Sequence, residues 1–106
     1  MGIFDLFKMP DINQGVKSYM SAPGAVLLDV RTPGEYRGGH IPGSKNVPLH
    51  SIENISSLAS DKNTELYVYC QSGARSRQAA AMLQRMGYNN VNNIGGIAAY
   101  SGKVER

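Results

Sequence analysis

Two short apolar runs, Ala25-Val26-Leu27-Leu28-Asp29-Val30 and Glu65-Leu66-Tyr67-Val68-Tyr69-Cys70, constrain this chain more than any other feature. Each is apolar at nearly every position rather than at alternate ones. A strand reads that way when both faces of its sheet are covered. Turn residues follow both runs, Thr32-Pro33-Gly34 after the first and Gln71-Ser72-Gly73 after the second. Around them lie segments of helical period. Ile12, Val16, Tyr19 and Met20 share one face of a helix over 12–20, with Asp11 as N-cap and Pro23-Gly24 as the break. Ala79, Met82, Leu83 and Met86 form the face of a second helix from about Ala74 to Met86, for which Gly87 is a natural C′ residue.

The remaining segments are shorter. Residues 35–37 read as one helical turn, 44–47 as an edge strand and 90–94 as a last strand before Gly95-Gly96. Ser51 reads as the cap of a helix running through Leu58, with Ile52, Ile55 and Leu58 on one side, and 97–100 as a helical stub. Strands alternating with helices on this scale predict an α/β domain with a mainly parallel sheet.

At 106 residues the chain suits one domain. That domain is expected over 11–106, preceded by an apolar arm over 1–10 that carries both Phe residues with Ile3 and Leu6 and either folds back on it or anchors a partner or membrane surface. The single Cys excludes an intramolecular disulfide framework. A net charge of +3 is too small to argue for nucleic acid. No apolar run approaches the roughly 18–20 residues of a membrane span. Residues 1–8 have no basic n-region and too short an apolar stretch to read as a signal peptide, and Leu6 stands where a myristoylation signal wants Ser or Thr. A cytoplasmic protein is the expectation. One Cys and two separated His residues give no metal cluster, and no Walker or dinucleotide glycine pattern is present, so no metal or cofactor is expected.

The chemistry is expected where strand becomes helix. In open α/β sheets, ligands bind at the carboxyl ends of strands, facing free N–H groups at helix N-termini. Cys70 falls at that point, and Gln71-Ser72-Gly73-Ala74-Arg75-Ser76 leads from it directly into a helix. Successive N–H groups of such a loop form a nest for an anion; the helix dipole and the charge of Arg75 add to it. These features are expected to lower the thiol pKa. A drop of about two units would raise the thiolate fraction at pH 7 from about 3% to about 75%.

Asp29-Val30-Arg31, Glu35-Tyr36, Gly39-His40-Ile41, Gly43 and Asn46-Val47-Pro48 resemble the first signature of rhodanese domains. Cys70-Gln71-Ser72-Gly73-Ala74-Arg75-Ser76 resembles the active-site loop of that family, and Gly95-Gly96 the paired glycines after its last strand. The resemblance implies a rhodanese-like α/β fold with a central five-stranded, mainly parallel sheet flanked by helices. It also implies sulfurtransferase chemistry. Cys70 would attack the outer sulfur of thiosulfate or another small anionic donor, and the resulting persulfide would pass to cyanide or a thiol. Residues 71–75 (Gln71, Ser72, Gly73, Ala74 and Arg75) would bind the persulfide and the donor. The spacing Cys-x4-Arg makes a six-residue loop sized for sulfur, whereas related phosphatases use Cys-x5-Arg, a position held here by Ser76. Position 71 is Gln where some relatives have Arg, and Tyr100 stands where an aromatic residue closes the site in many of them.

Asp29 and Arg31 end the first buried strand and read as a charge pair supporting the loop, since a buried carboxylate must be paired. Ser76, like Ser72, either donates to the sulfur or caps the following helix. His40 lies in a Gly/Pro-rich bend and reads as architectural, because an ionised thiolate needs no general base. Arg77 reads as a solvent-facing residue, with steering of anions toward the site as the alternative. A sulfur-relay module serving a thiol-carrying partner protein is the alternative to a small-donor enzyme, and the apolar arm is the feature that favours it.

Overall fold

The structure, a computed structural model, describes residues 10–106. The expected N-terminal arm lies outside the described residues, save for Pro10. The elements run α1 (Ile12–Met20), β1 (Val26–Asp29), α2 (Pro33–Gly38), β2 (Lys45–Asn46), a 3₁₀ segment (Leu49–Ser57), β3 (Glu65–Cys70), α3 (Ala74–Arg85), β4 (Asn90–Gly96) and a 3₁₀ turn (Ile97–Ala99).

The two apolar runs become the central strands. All pairings are parallel and the order is β2-β1-β3-β4. Side chains alternate across a strand, and here the alternation divides one core into two. Leu28, Val30, Leu66, Val68 and Cys70 face one side, where Ile52 and Ile55 of the 3₁₀ segment and Ala79 and Leu83 of α3 cover them. Leu27, Tyr67 and Tyr69 face the other, against Ile12 and Val16 of α1. Continuous apolar runs are what this double cover requires.

Four expectations are corrected. Among the described residues the sheet has four strands, not five; the chain carries only four strand-like runs, and the fifth rested on the resemblance alone. His40 and Glu105 add an isolated antiparallel bridge. Ser51 caps nothing: the segment starts after Pro48 without a side-chain cap, and Ser51 sits at a kink inside it. Leu58 does not share the burial of Ile52 and Ile55, being 46% exposed; it is the C-cap, past the last residue of the segment. Finally, Gly95 and Gly96 belong to β4 rather than following it, pairing with Tyr69 and Cys70 past an irregularity in register.

Strand order decides where a site can form. The chain passes from β1 outward to β2, then returns to lay β3 on the other side of β1 and continues to β4. The carboxyl ends of β1 and β3 therefore flank the switch point, where open α/β sheets leave a crevice. Asp29 and Cys70 are the last residues of these two strands.

Candidate active site

Cys70 is fully buried and carries a free thiol. The loop after it turns tightly at Gly73, whose φ of 104° lies in the left-handed region that a Cβ would strain. That turn brings the Gly73 N–H to 3.0 Å from Cys70 Sγ. Gly73 is also the N-cap of α3, and no side chain caps the helix, so the capping role considered for Ser72 and Ser76 is not seen. A helix start ordinarily needs acceptors for its first N–H groups. Here the sulfur is one of them.

Ser76 is buried in the first turn of α3 with its Oγ 3.6 Å from Sγ. The same hydroxyl is 2.7 Å from Asn93 Oδ1 and 3.0 Å from the Gly73 carbonyl oxygen. Asn93 Oδ1 also accepts from the Gly95 N–H at 3.1 Å. Burial is the largest influence on the Cys70 thiol and pushes its pKa up. Hydrogen bonds from the Ser76 hydroxyl and the N–H groups of Ser76, Gly73 and Ser72 outweigh it, and the net shift is downward.

Gly96 sets how closely β4 passes beneath the loop. A Cβ there would collide with the Gln71 carbonyl oxygen and lie 2.7 Å from Ser72 Cα. The loop is tied down again by the Ala98 N–H, which donates to the Gln71 carbonyl at 3.1 Å.

Asp29 and Arg31 form a buried pair across the crevice. Arg31 donates through Nη2 to Asp29 Oδ2 at 2.7 Å and through Nε to both carboxylate oxygens at 3.0 and 3.1 Å. The second face of the guanidinium reaches outward, to the Gly39 carbonyl at 2.7 Å and to Gln71 Oε1 at 3.3 Å. Burial would lower the Arg31 pKa, but the Asp29 carboxylate raises it on balance. From β2, Asn46 Nδ2 donates to the carbonyls of Asp29 and Arg31 at 3.0 and 2.9 Å.

Arg75 does not point at an open anion site. Its two terminal nitrogens hold Glu35 at 2.7 and 2.9 Å, a bidentate pair between α3 and α2. The Arg75 hydrogen bond is the largest influence on Glu35 and, with the Thr32 bonds, holds its pKa down at about 2. Glu35 also closes a capping box with Thr32, accepting from the Thr32 N–H at 3.0 Å. Beside this pair lies a cavity of about 340 Å³ lined by Val30, Thr32, Pro48, Leu49, His50, Arg75 and Met82.

Cys70, Gln71, Ser72, Gly73, Ala74, Arg75 and Ser76 thus form one loop around the sulfur, with Asp29 and Arg31 against it. Tyr100 does not close the site. It packs against the apolar cluster on the opposite face of the sheet from Cys70, the one that holds Ile12 and Val16 of α1. His40 stacks on Tyr36 at 3.8 Å and donates through Nδ1–H to the Tyr36 carbonyl at 2.9 Å. Arg77 is exposed. Two residues that sequence reasoning did not place at the site are Glu35 and Asn93. Glu35 carried a signal, the Thr-x-x-Glu capping box, which fixes where its carboxylate starts. Asn93 carried none.

The family model described as "Rhodanese-like domain" matches residues 13–103. Thiosulfate sulfurtransferase PspE of Escherichia coli (strain K12) is 42% identical over 71 residues, 66% of this chain and 68% of that protein. A sulfurtransferase of Allochromatium vinosum is 42% identical over 78 residues, 72% of this chain and 71% of its own length. Among solved structures, a rhodanese with anions from E. coli superposes with a TM-score of 0.73 at 36% identity, covering 77% of this chain and 98% of that one. No described helix is long and apolar enough to cross a membrane.

Proposed function

This chain belongs to the rhodanese-like family, and from that premise we propose that it is a sulfurtransferase that carries sulfane sulfur on Cys70. The observation that carries the reading is the uncapped start of α3, whose Gly73 N–H is directed at a buried sulfur. Backbone donors fixed in this way stabilise negative charge without reorganising, both on the thiolate and on a sulfur added to it.

The reaction runs in two displacements. The Cys70 thiolate attacks the outer sulfur of thiosulfate or another sulfane donor. The new S–S bond forms as the donor's S–S bond breaks, and the electron pair leaves with sulfite or the corresponding thiolate. The Cys70 persulfide then holds its terminal sulfur among the N–H groups of residues 72–76. In the second step cyanide or a thiol attacks that sulfur, and the electron pair returns to Cys70. Dividing the transfer in this way is the ordinary benefit of a covalent intermediate. The hydrogen bonds to Cys70 lower its pKa, which lessens the need for a general base in either step.

The supporting residues keep the loop in shape. Arg31 ties Asp29 and the Gly39 carbonyl to Gln71, and Ser76 links the loop to β4 through Asn93. Turnover is tested by following thiocyanate formation from cyanide and a sulfane donor. The wild-type protein is expected to turn over and Cys70→Ser to be inactive. Thiocyanate formation that survives in Cys70→Ser would refute the reading.

A further inference from the structure

Charge at the mouth of the site is arranged unexpectedly for a protein that accepts an inorganic dianion. Arg75 is the one cation of the loop, and Glu35 occupies both of its terminal nitrogens. Arg31 reaches the loop at Gln71, and Asp29 neutralises it in a buried pair. At position 71, where a further cation would meet a donor, the side chain is a neutral Gln whose carbonyl already accepts from Arg31. The Arg75 and Arg31 guanidinium groups are therefore each matched by a carboxylate. What remains for the sulfur end of a donor is the set of backbone N–H groups around Cys70.

Next to the Glu35–Arg75 pair the surface changes character. Val30, Pro48, Leu49 and Met82 contribute apolar walls to the 340 Å³ cavity that meets the loop at Arg75. Thiosulfate has no carbon to place there. An organic donor has.

Resting on the sulfurtransferase reading above, we infer that the donor is a monoanionic organic sulfane compound, its carbon body in this cavity, and that Glu35 is the residue that disfavours dianionic donors. Glu35 touches neither the sulfur nor the reacting bond; it acts by occupying Arg75. For an organic persulfide the Cys70 thiolate attacks the outer sulfur, the donor's S–S bond breaks, and the organic thiolate leaves with the electron pair. For an organic thiosulfonate the same attack releases a sulfinate, so neither route requires an outside oxidant or reductant.

Thiosulfate and benzenethiosulfonate form a matched pair of probes, differing by one charge and by an organic body. The rate of Cys70 persulfide formation is measured by mass for each. Each rate is divided by that donor's rate with a free thiol, which removes the difference between sulfite and benzenesulfinate as leaving groups. Wild type is expected to favour benzenethiosulfonate by about tenfold or more, as one uncompensated like charge near a carboxylate demands. Glu35→Gln keeps an acceptor for the Thr32 N–H, so the capping box survives. It is expected to move the ratio about tenfold toward thiosulfate. Met82→Trp fills the cavity and should move the ratio the same way by weakening benzenethiosulfonate. The chain has no other Trp, so its fluorescence reports whether that variant is folded. A wild-type ratio near one, or a Glu35→Gln ratio unchanged from wild type, would overturn the inference while leaving the sulfurtransferase reading standing. Failure of both donors to load wild type would overturn that reading, and this one with it.

Discussion

Burial and hydrogen bonding oppose each other at Cys70. A thiolate in an apolar core is costly, and burial alone would keep this thiol protonated. The N–H groups of residues 72, 73 and 76 and the Ser76 hydroxyl reverse that preference. Ser76 has one proton and two good acceptors besides the sulfur, Asn93 Oδ1 and the Gly73 carbonyl. Its contribution is therefore separable from that of the backbone. Because the folded thiol's pKa is lowered, the reactive form persists as pH falls below the ordinary thiol value of about 8.5 and is lost only through the lower folded value. The alkylation rate of Cys70 is expected to titrate with a midpoint below that value. Ser76→Ala should shift the midpoint upward while the backbone donors stay in place. A midpoint unmoved in Ser76→Ala would show that the hydroxyl is committed to Asn93 and does nothing for the sulfur.

Among the elements, β4 and the active-site loop pass each other with little room between them. Gly96 lies beneath Gln71 and Ser72 so closely that a Cβ cannot fit without moving loop backbone. Gly96→Ala is expected to displace the N–H groups aimed at the sulfur and to slow persulfide formation by about a hundredfold, the usual cost of misplacing a catalytic group by about 1 Å. Circular dichroism of the variant, expected to match wild type, checks that the sheet remains. Equal loading rates in Gly96→Ala and wild type would contradict the packing described.

Those elements were unequally legible in the sequence. β3 matches its apolar run at both ends, and α1 matches its periodic face, because each is set by short-range pattern. The Cys70 loop was legible for the same reason, being contiguous from Cys70 to Ser76. Glu35 reaches Arg75 across 40 positions and Asn93 reaches Ser76 across 17. Only the parallel sheet brings these residues together, and no local pattern encodes such a meeting. The 3₁₀ segment after β2 was misread as a capped helix because Ser51, Ile52 and Ile55 satisfy an α-helical pattern, while its winding is decided by how it covers β1 and β3.

At the scale of the whole molecule, strand order and double cover together produce the site. The central strands end side by side at the switch point. One delivers a neutralised Asp29–Arg31 pair and the other delivers Cys70. Cys70 faces the same side as α3, so the helix that follows it in sequence also supplies the donors above it. The other face, closed by α1, carries Tyr100 and takes no part in the sulfur's surroundings. The central claim is that this geometry makes Cys70 a carrier of sulfane sulfur. It is tested most directly by the intact mass of the reduced protein after exposure to benzenethiosulfonate or thiosulfate, with Cys70→Ser treated alongside. The account predicts a gain of about 32 Da, one sulfur, on wild type only, removed again by a thiol. No gain with either donor, or the same gain on Cys70→Ser, would contradict it.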